Sequence, residues 1–171
     1  MLFRSGAGSL YRVDSDGTVT RIVAGLSIAN GPAFSPDGQS MYLADSAVGT
    51  VDRYDLDPDT GDLGDRTSFV RIEPQDGLPD GMTVDAEGCL WVALWGGGAV
   101  RRYRPDGLLD RTIALPVAQP TSVCLGGPDG LDLFITSASV GLADPGPDDG
   151  ALLHVRADVP GIPAAAAVLD R

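Results

Sequence analysis

The sequence predicts an all-β protein assembled from repeated antiparallel units. Three observations carry that reading. Short runs rich in Val, Ile, Leu, Tyr and Thr alternate with acidic-Gly turns along the chain, which is the punctuation of strands. No segment shows the 3.6-residue apolar period of a packed helix. The strand-like runs also recur in fixed order, successive copies lying 41 to 52 residues apart. That interval matches the ~40–50 residues of a four-stranded propeller blade.

Each unit carries three registers. The first is an apolar-basic-aromatic strand: Leu10-Tyr11-Arg12-Val13, Val51-Asp52-Arg53-Tyr54, Val100-Arg101-Arg102-Tyr103 and, more weakly, Leu152-Leu153-His154-Val155. The second is an opening segment that places an oxygen-bearing side chain before Gly. It reads Asn30-Gly31-Pro32-Ala33-Phe34 and Asp80-Gly81-Met82-Thr83-Val84, with a looser copy at Pro120-Thr121-Ser122-Val123-Cys124-Leu125. The third is an apolar strand after each acidic-Gly turn: Met41-Tyr42-Leu43-Ala44, Leu90-Trp91-Val92-Ala93 and Leu133-Phe134-Ile135-Thr136.

These registers give about three to three and a half blades. Closed propellers hold ~4–8 blades, so the ring is incomplete. The abrupt start makes the C-terminal part of a larger protein the expected reading. The alternative is a short protein whose copies pair to complete a ring, and open edges make self-association an expectation in either case. Residues 1–5 read as a non-native leader, 6–158 as a partial propeller domain and 159–171 as a tail. The Ala164 to Ala167 run is expected to fray rather than pack.

Composition limits the function. A formal net charge of -12 over 171 residues excludes the clustered basic surface that nucleic acid needs. No 18-residue apolar stretch and no cleavable leader pattern occur, so neither a membrane span nor secretion is expected. Cys89 and Cys124 lie within apolar runs without paired spacing. Buried free thiols in a reducing cytoplasm are the expected reading.

Equivalent positions in successive blades face a common centre. Asn30 and Asp80 are therefore expected to aim two oxygen donors at one place. Read with their neighbours, the segments resemble the regucalcin/gluconolactonase family of six-bladed propellers. The matching pieces include Gly25 to Gly31, Ser35-Pro36-Asp37-Gly38, Met41 to Ser46, Leu78 to Met82, Asp85-Ala86-Glu87-Gly88, Leu90 to Ala93, Leu115-Pro116-Val117, Pro120-Thr121-Ser122 and Ile135 to Ala138. They span roughly residues 6 to 155.

The resemblance implies hydrolysis of a sugar lactone with one divalent cation in the central channel. It implies that Asn30 and Asp80 are ligands of that metal, with Asp80 also the general base. The identity of the cation stays open among Ca, Mg, Mn and Zn. A Glu ligand and the substrate-contacting Arg and Asn of the family have no counterpart in this sequence, so the chain alone is expected to be inactive. Thr121, Ser122 and Trp95 are secondary candidates for the channel wall. The rival reading is a non-catalytic propeller that binds calcium or a small ligand.

Physical chemistry supports the residue types. A lactone carbonyl is a modest electrophile, and a cation stabilises the oxyanion formed on attack. A carboxylate accepts the proton of the attacking water. Oxygen donors suit hard cations, and the lack of His or thiolate at these positions argues against a dedicated zinc site.

Other motifs read as structural. Asp55 to Asp62 resembles a calcium loop but has Arg66 where a bidentate Glu belongs, so a solvated hairpin is expected. Gly96-Gly97-Gly98 is a permissive turn. His154 falls on an outer strand and is expected at the surface. Arg53, Arg101, Arg102 and Arg104 are expected to be exposed charge partners of small individual worth.

Overall fold

The computed structural model describes residues 6–164. The expected leader at 1–5 and most of the Ala164 to Ala167 run lie outside the described residues. Strands β1 (Gly8–Val13) and β2 (Val19–Leu26) form an antiparallel hairpin. Strands β3 (Ala29–Phe34), β4 (Ser40–Asp45), β5 (Thr50–Leu56) and β6 (Leu63–Arg71) follow as a four-stranded meander. After a 3-10 turn at Pro74–Asp76 comes a second meander, β7 (Leu78–Val84), β8 (Leu90–Trp95), β9 (Ala99–Tyr103) and β10 (Leu109–Ala114). Strands β11 (Pro120–Gly126), β12 (Asp132–Ser137) and β13 (Leu152–Arg156) make a three-stranded sheet. This is part of a β-propeller: two full blades flanked by a hairpin and by three strands of another blade.

Blade stacking explains why the second strands read as unbroken apolar runs. On β4, Tyr42 and Ala44 face the β7–β10 blade, while Met41 and Leu43 face the β1–β2 hairpin. On β8, Leu90, Val92 and Leu94 pack toward the preceding blade. Trp91 and Ala93 pack toward Val123, Leu133 and Ile135 of the next. Both faces of a blade are covered, so alternation vanishes from its middle strands. Each large side chain sealed this way contributes roughly 1.5–3 kcal/mol.

Strand β3 lies against β7, and β7 against β11. These are the inner strands, and each carries one extra residue relative to its partner. The irregularities fall between Asn30 and Ala33, between Pro79 and Met82, and between Pro120 and Ser122. A bulge bends the strand and re-aims the local side chains. The acidic-Gly turns close as expected, with Gly38 and Gly88 at φ of 70° and 78°.

Two expectations are corrected. Arg102 is not an exposed charge partner: its side chain is only 3% exposed. It donates from Nε to Asp85 at 2.8 Å, from Nη2 to Glu87 at 2.7 Å and from Nη1 to Asp110 at 3.0 Å. Blade stacking buries the middle of β9, and the guanidinium survives there because three carboxylates surround it. Cys124 is exposed rather than buried, whereas Cys89 is buried. Cys124 points to the outer face of the β11–β13 sheet, which no described strand covers. The expected surface role of His154 holds: its ring contacts Asp132 at 2.8 Å and stacks on Phe134 at 5.4 Å.

Candidate functional site

The bulges decide where the site forms. Asn30 opens the bulge of β3, and Asp80 sits within that of β7. Both line one cavity of about 280 Å³, together with Ile28, Ser46, Leu78, Pro79 and Trp95. The loop leading into β3 is held by the buried Asp45 carboxylate, which accepts from the Ser27 N–H at 2.8 Å and the Ile28 N–H at 3.0 Å.

Asp80 is the chemically distinctive group. Burial pushes its carboxyl up to about 6, while the Gly81 N–H pulls in the opposite direction. Desolvation penalises the charged form, and no cation of the described chain sits close enough to offset it. A carboxyl tuned this way is a usable base near neutral pH.

Asn30 Nδ2 donates to Ser46 Oγ at 2.7 Å. Ser46 Oγ in turn donates to the Pro79 carbonyl oxygen at 2.5 Å. The chain of contacts crosses from one blade to the next and ends on the peptide before Asp80. The amide oxygen of Asn30 is thereby left on the other side of the group.

A carboxylate and an amide oxygen on one cavity are a hard-donor pair, which fits an oxygen-seeking divalent cation. Among the described residues no group of three or more His, Cys, Asp or Glu side chains is placed to hold a metal ion. The pair therefore supplies part of a coordination shell.

Trp95, the last residue of β8, lines the same cavity as Asn30 and Asp80. Thr121 and Ser122 do not line this cavity. Thr121 Oγ1 lies 2.6 Å from Thr136 Oγ1 within its own sheet. Ser122 backs onto Gly81, where an added Cβ would fall 2.6 Å from the Ser122 Cβ. Ser46, Asp45 and Ile28 were not predicted as site residues. The available signal was register: Ser46 follows β4 as Trp95 closes β8.

Residues 3–139 match the family model described as the SMP-30/Gluconolactonase/LRE-like region. The chain belongs to this family. Pentonolactonase XacC of Haloferax volcanii is 40% identical over 161 residues, which cover 91% of this chain and 55% of that protein. The L-arabinolactonase of Azospirillum brasilense is 43% identical over 138 residues, covering 80% of this chain and 45% of the relative. Among solved structures, regucalcin from Agrobacterium tumefaciens, described as a calcium-binding protein, superposes with a TM-score of 0.87. It shares 38% identity, with 93% of this chain and 55% of that one covered. The chain spans about half the length of the curated relatives it matches. No helix among the described residues is long and apolar enough to cross a membrane.

Proposed function

We propose that this chain is part of a hydrolase of sugar lactones, and that the cavity between Asn30 and Asp80 is its reaction centre. One observation carries the reading: Asn30 and Asp80, from different blades, line one cavity in which burial holds the Asp80 carboxyl at about 6. The similarity to a pentonolactonase and an L-arabinolactonase supports a sugar lactone as the substrate class.

In this reading Asn30 and Asp80 hold a divalent cation, which when bound polarises the lactone carbonyl and acidifies water. Asp80 takes the proton from the attacking water. Asn30 supplies a neutral oxygen, which keeps the negative charge of the cavity low. Trp95, Ile28 and Leu78 present an apolar wall to a sugar ring. The remaining cation ligands are supplied by solvent or by other parts of the whole protein, since calcium takes ~6–8 oxygens.

A second reading, a calcium-binding propeller without catalysis, is favoured by the similarity to regucalcin. One experiment separates the two. Residues 6–164 are joined to the N-terminal part of the Azospirillum brasilense L-arabinolactonase, and pentonolactone hydrolysis is followed with added Mn²⁺ or Ca²⁺. Asp80→Ala is expected to lower the rate by about 10²–10⁴-fold. An unchanged rate removes Asp80 from the mechanism. Calcium binding without any hydrolysis in the parent chimaera favours the second reading.

A further inference from the structure

We propose that Ser46 is a positioning residue that fixes the side-chain amide of Asn30 and selects an amide over a carboxylate at that position. Its value to the reaction centre rests on the function proposed above; the hydrogen-bond logic does not.

The argument is a count of protons. Ser46 is buried, and its hydroxyl carries one hydrogen. A peptide carbonyl only accepts, so the 2.5 Å contact to Pro79 consumes that hydrogen. Toward Asn30 the serine oxygen then has only lone pairs to offer. Residue 30 must bring the donor, and Asn30 does so through Nδ2 at 2.7 Å. A turned amide would set two acceptors against each other with no hydrogen between them. The hydroxyl therefore locks the amide, and the Asn30 Oδ1 atom is held on the opposite side.

The same count disfavours aspartate. An ionised carboxylate at position 30 has no hydrogen to give. It would have to take up a proton or pull the Ser46 hydrogen away from Pro79. Either way one of the two contacts changes character. Two carboxylates in one cavity would also repel each other. Ser46 thus holds the cavity at a single carboxylate.

The blade itself does not require a hydroxyl here. The Ser46 N–H bonds to the Ile28 carbonyl, two residues before Asn30. In the next blade Trp95 pairs with Leu78, two residues before Asp80. In the last sheet the Ala138 N–H bonds to the Gln119 carbonyl, two residues before Thr121. The equivalent places hold Trp and Ala, so the serine answers to Asn30 and Pro79 rather than to sheet geometry.

Asn30 is the only asparagine in the sequence, so selective ¹⁵N-asparagine labelling gives one side-chain amide pair in an NMR spectrum. The test is run on the chain as it is, without cation or substrate. The expected result is one slowly exchanging, shifted Nδ2 proton, and in Ser46→Ala both protons at free-amide positions. A serine that only ties β4 to β7 would lower the melting temperature and leave the Asn30 signals in place, which overturns the proposal. Should Ser46→Ala not fold, the unaltered chain decides: Asn30 amide exchange as fast as that of the same chain unfolded in urea overturns it. The selection is read from a double-mutant cycle. The melting-temperature loss from Asn30→Asp should shrink in the Ser46→Ala background, and equal losses in both backgrounds overturn the selection. A calcium titration on the same signals isolates the proposed function. With the amide result in hand, Ser46→Ala should weaken binding by about 10–100-fold.

Discussion

Arg102 and Asp85 form an ion pair of 2.8 Å in which the guanidinium is 3% exposed and the carboxylate is fully sealed. Asp85 also accepts from the backbone of Glu87 and Cys89 and from the Trp91 indole at 2.8 Å. The Trp91 ring lies 5.7 Å from the guanidinium. One buried carboxylate thus gathers β7, its turn, β8 and β9. It sits at the end of β7 opposite Asp80, so it serves the frame and not the cavity.

Removing one partner of such a pair strands a buried charge. Arg102→Met is expected to destabilise the chain by about 3–5 kcal/mol, read by urea denaturation. Asp85→Asn combined with Arg102→Met should cost less than Arg102→Met alone, because the one fully sealed carboxylate is gone. A loss under about 1 kcal/mol for Arg102→Met would show that water reaches Asp85 readily.

Asp80 gives a pH signature. Its folded pKa of about 6 lies above the ordinary aspartate value of 3.8. Between these values the folded state holds the proton that the unfolded state has released, so stability falls as pH rises from about 4 to about 6. Asp80→Asn should therefore be more stable than the parent chain at pH 7, by about 1–2 kcal/mol once partial exposure is allowed for. At pH 3 the two should be alike. Equal stability at both pH values would mean that the carboxyl is well hydrated.

Cation affinity should be low in the isolated chain. The described residues offer two oxygen donors where calcium takes ~6–8. Isothermal titration is expected to give a dissociation constant on the order of 10⁻⁴ M or weaker. A sub-micromolar site would show that the chain completes the shell by itself.

Gly81 marks a close approach of two inner strands, β7 and β11. A Cβ there would stand 2.6 Å from the Ser122 Cβ and 2.8 Å from its Cα. Gly81→Ala should cost about 1–3 kcal/mol or more through overpacking. Ser122→Gly should recover part of the loss in a thermal melt, and no recovery would place the strain elsewhere.

The two thiols should behave differently. Cys124 is exposed, and Cys89 is buried with its pKa raised by desolvation first and by the Asp85 charge next. An aromatic disulfide reagent should titrate one thiol in the native chain and two after denaturation. Two fast thiols in the native state would contradict the burial of Cys89.

The blade order was legible because every unit repeats its three registers, and repetition survives in a bare sequence. Asn30 and Asp80 were legible as a pair for the same reason. Ser46 was not, because its role depends on a hydroxyl reaching Pro79 on another blade, 33 residues away. Arg102 was misread because its Arg-Arg-Tyr setting resembles a solvated strand; blade stacking buries it, and the carboxylates at positions 85, 87 and 110 that compensate its charge meet only in the folded sheet. Cys124 lies in an apolar run, yet that run belongs to a sheet one face of which no described strand covers. Pattern reports which residues suit a covered face and is silent on whether a cover exists.

The extra residue in each inner strand separates two kinds of structural demand. Outside the bulge, side chains obey the alternation that stacks one blade on the next, and their identity is constrained by volume. Asn30 opens one bulge and Asp80 sits within the next, and they bring an amide and a carboxylate to one cavity. The repeat thus offers interchangeable sockets at the centre of the ring. A substitution there changes the chemistry of the cavity while leaving the stacking pattern untouched, so the scaffold and the cavity's chemistry can vary separately.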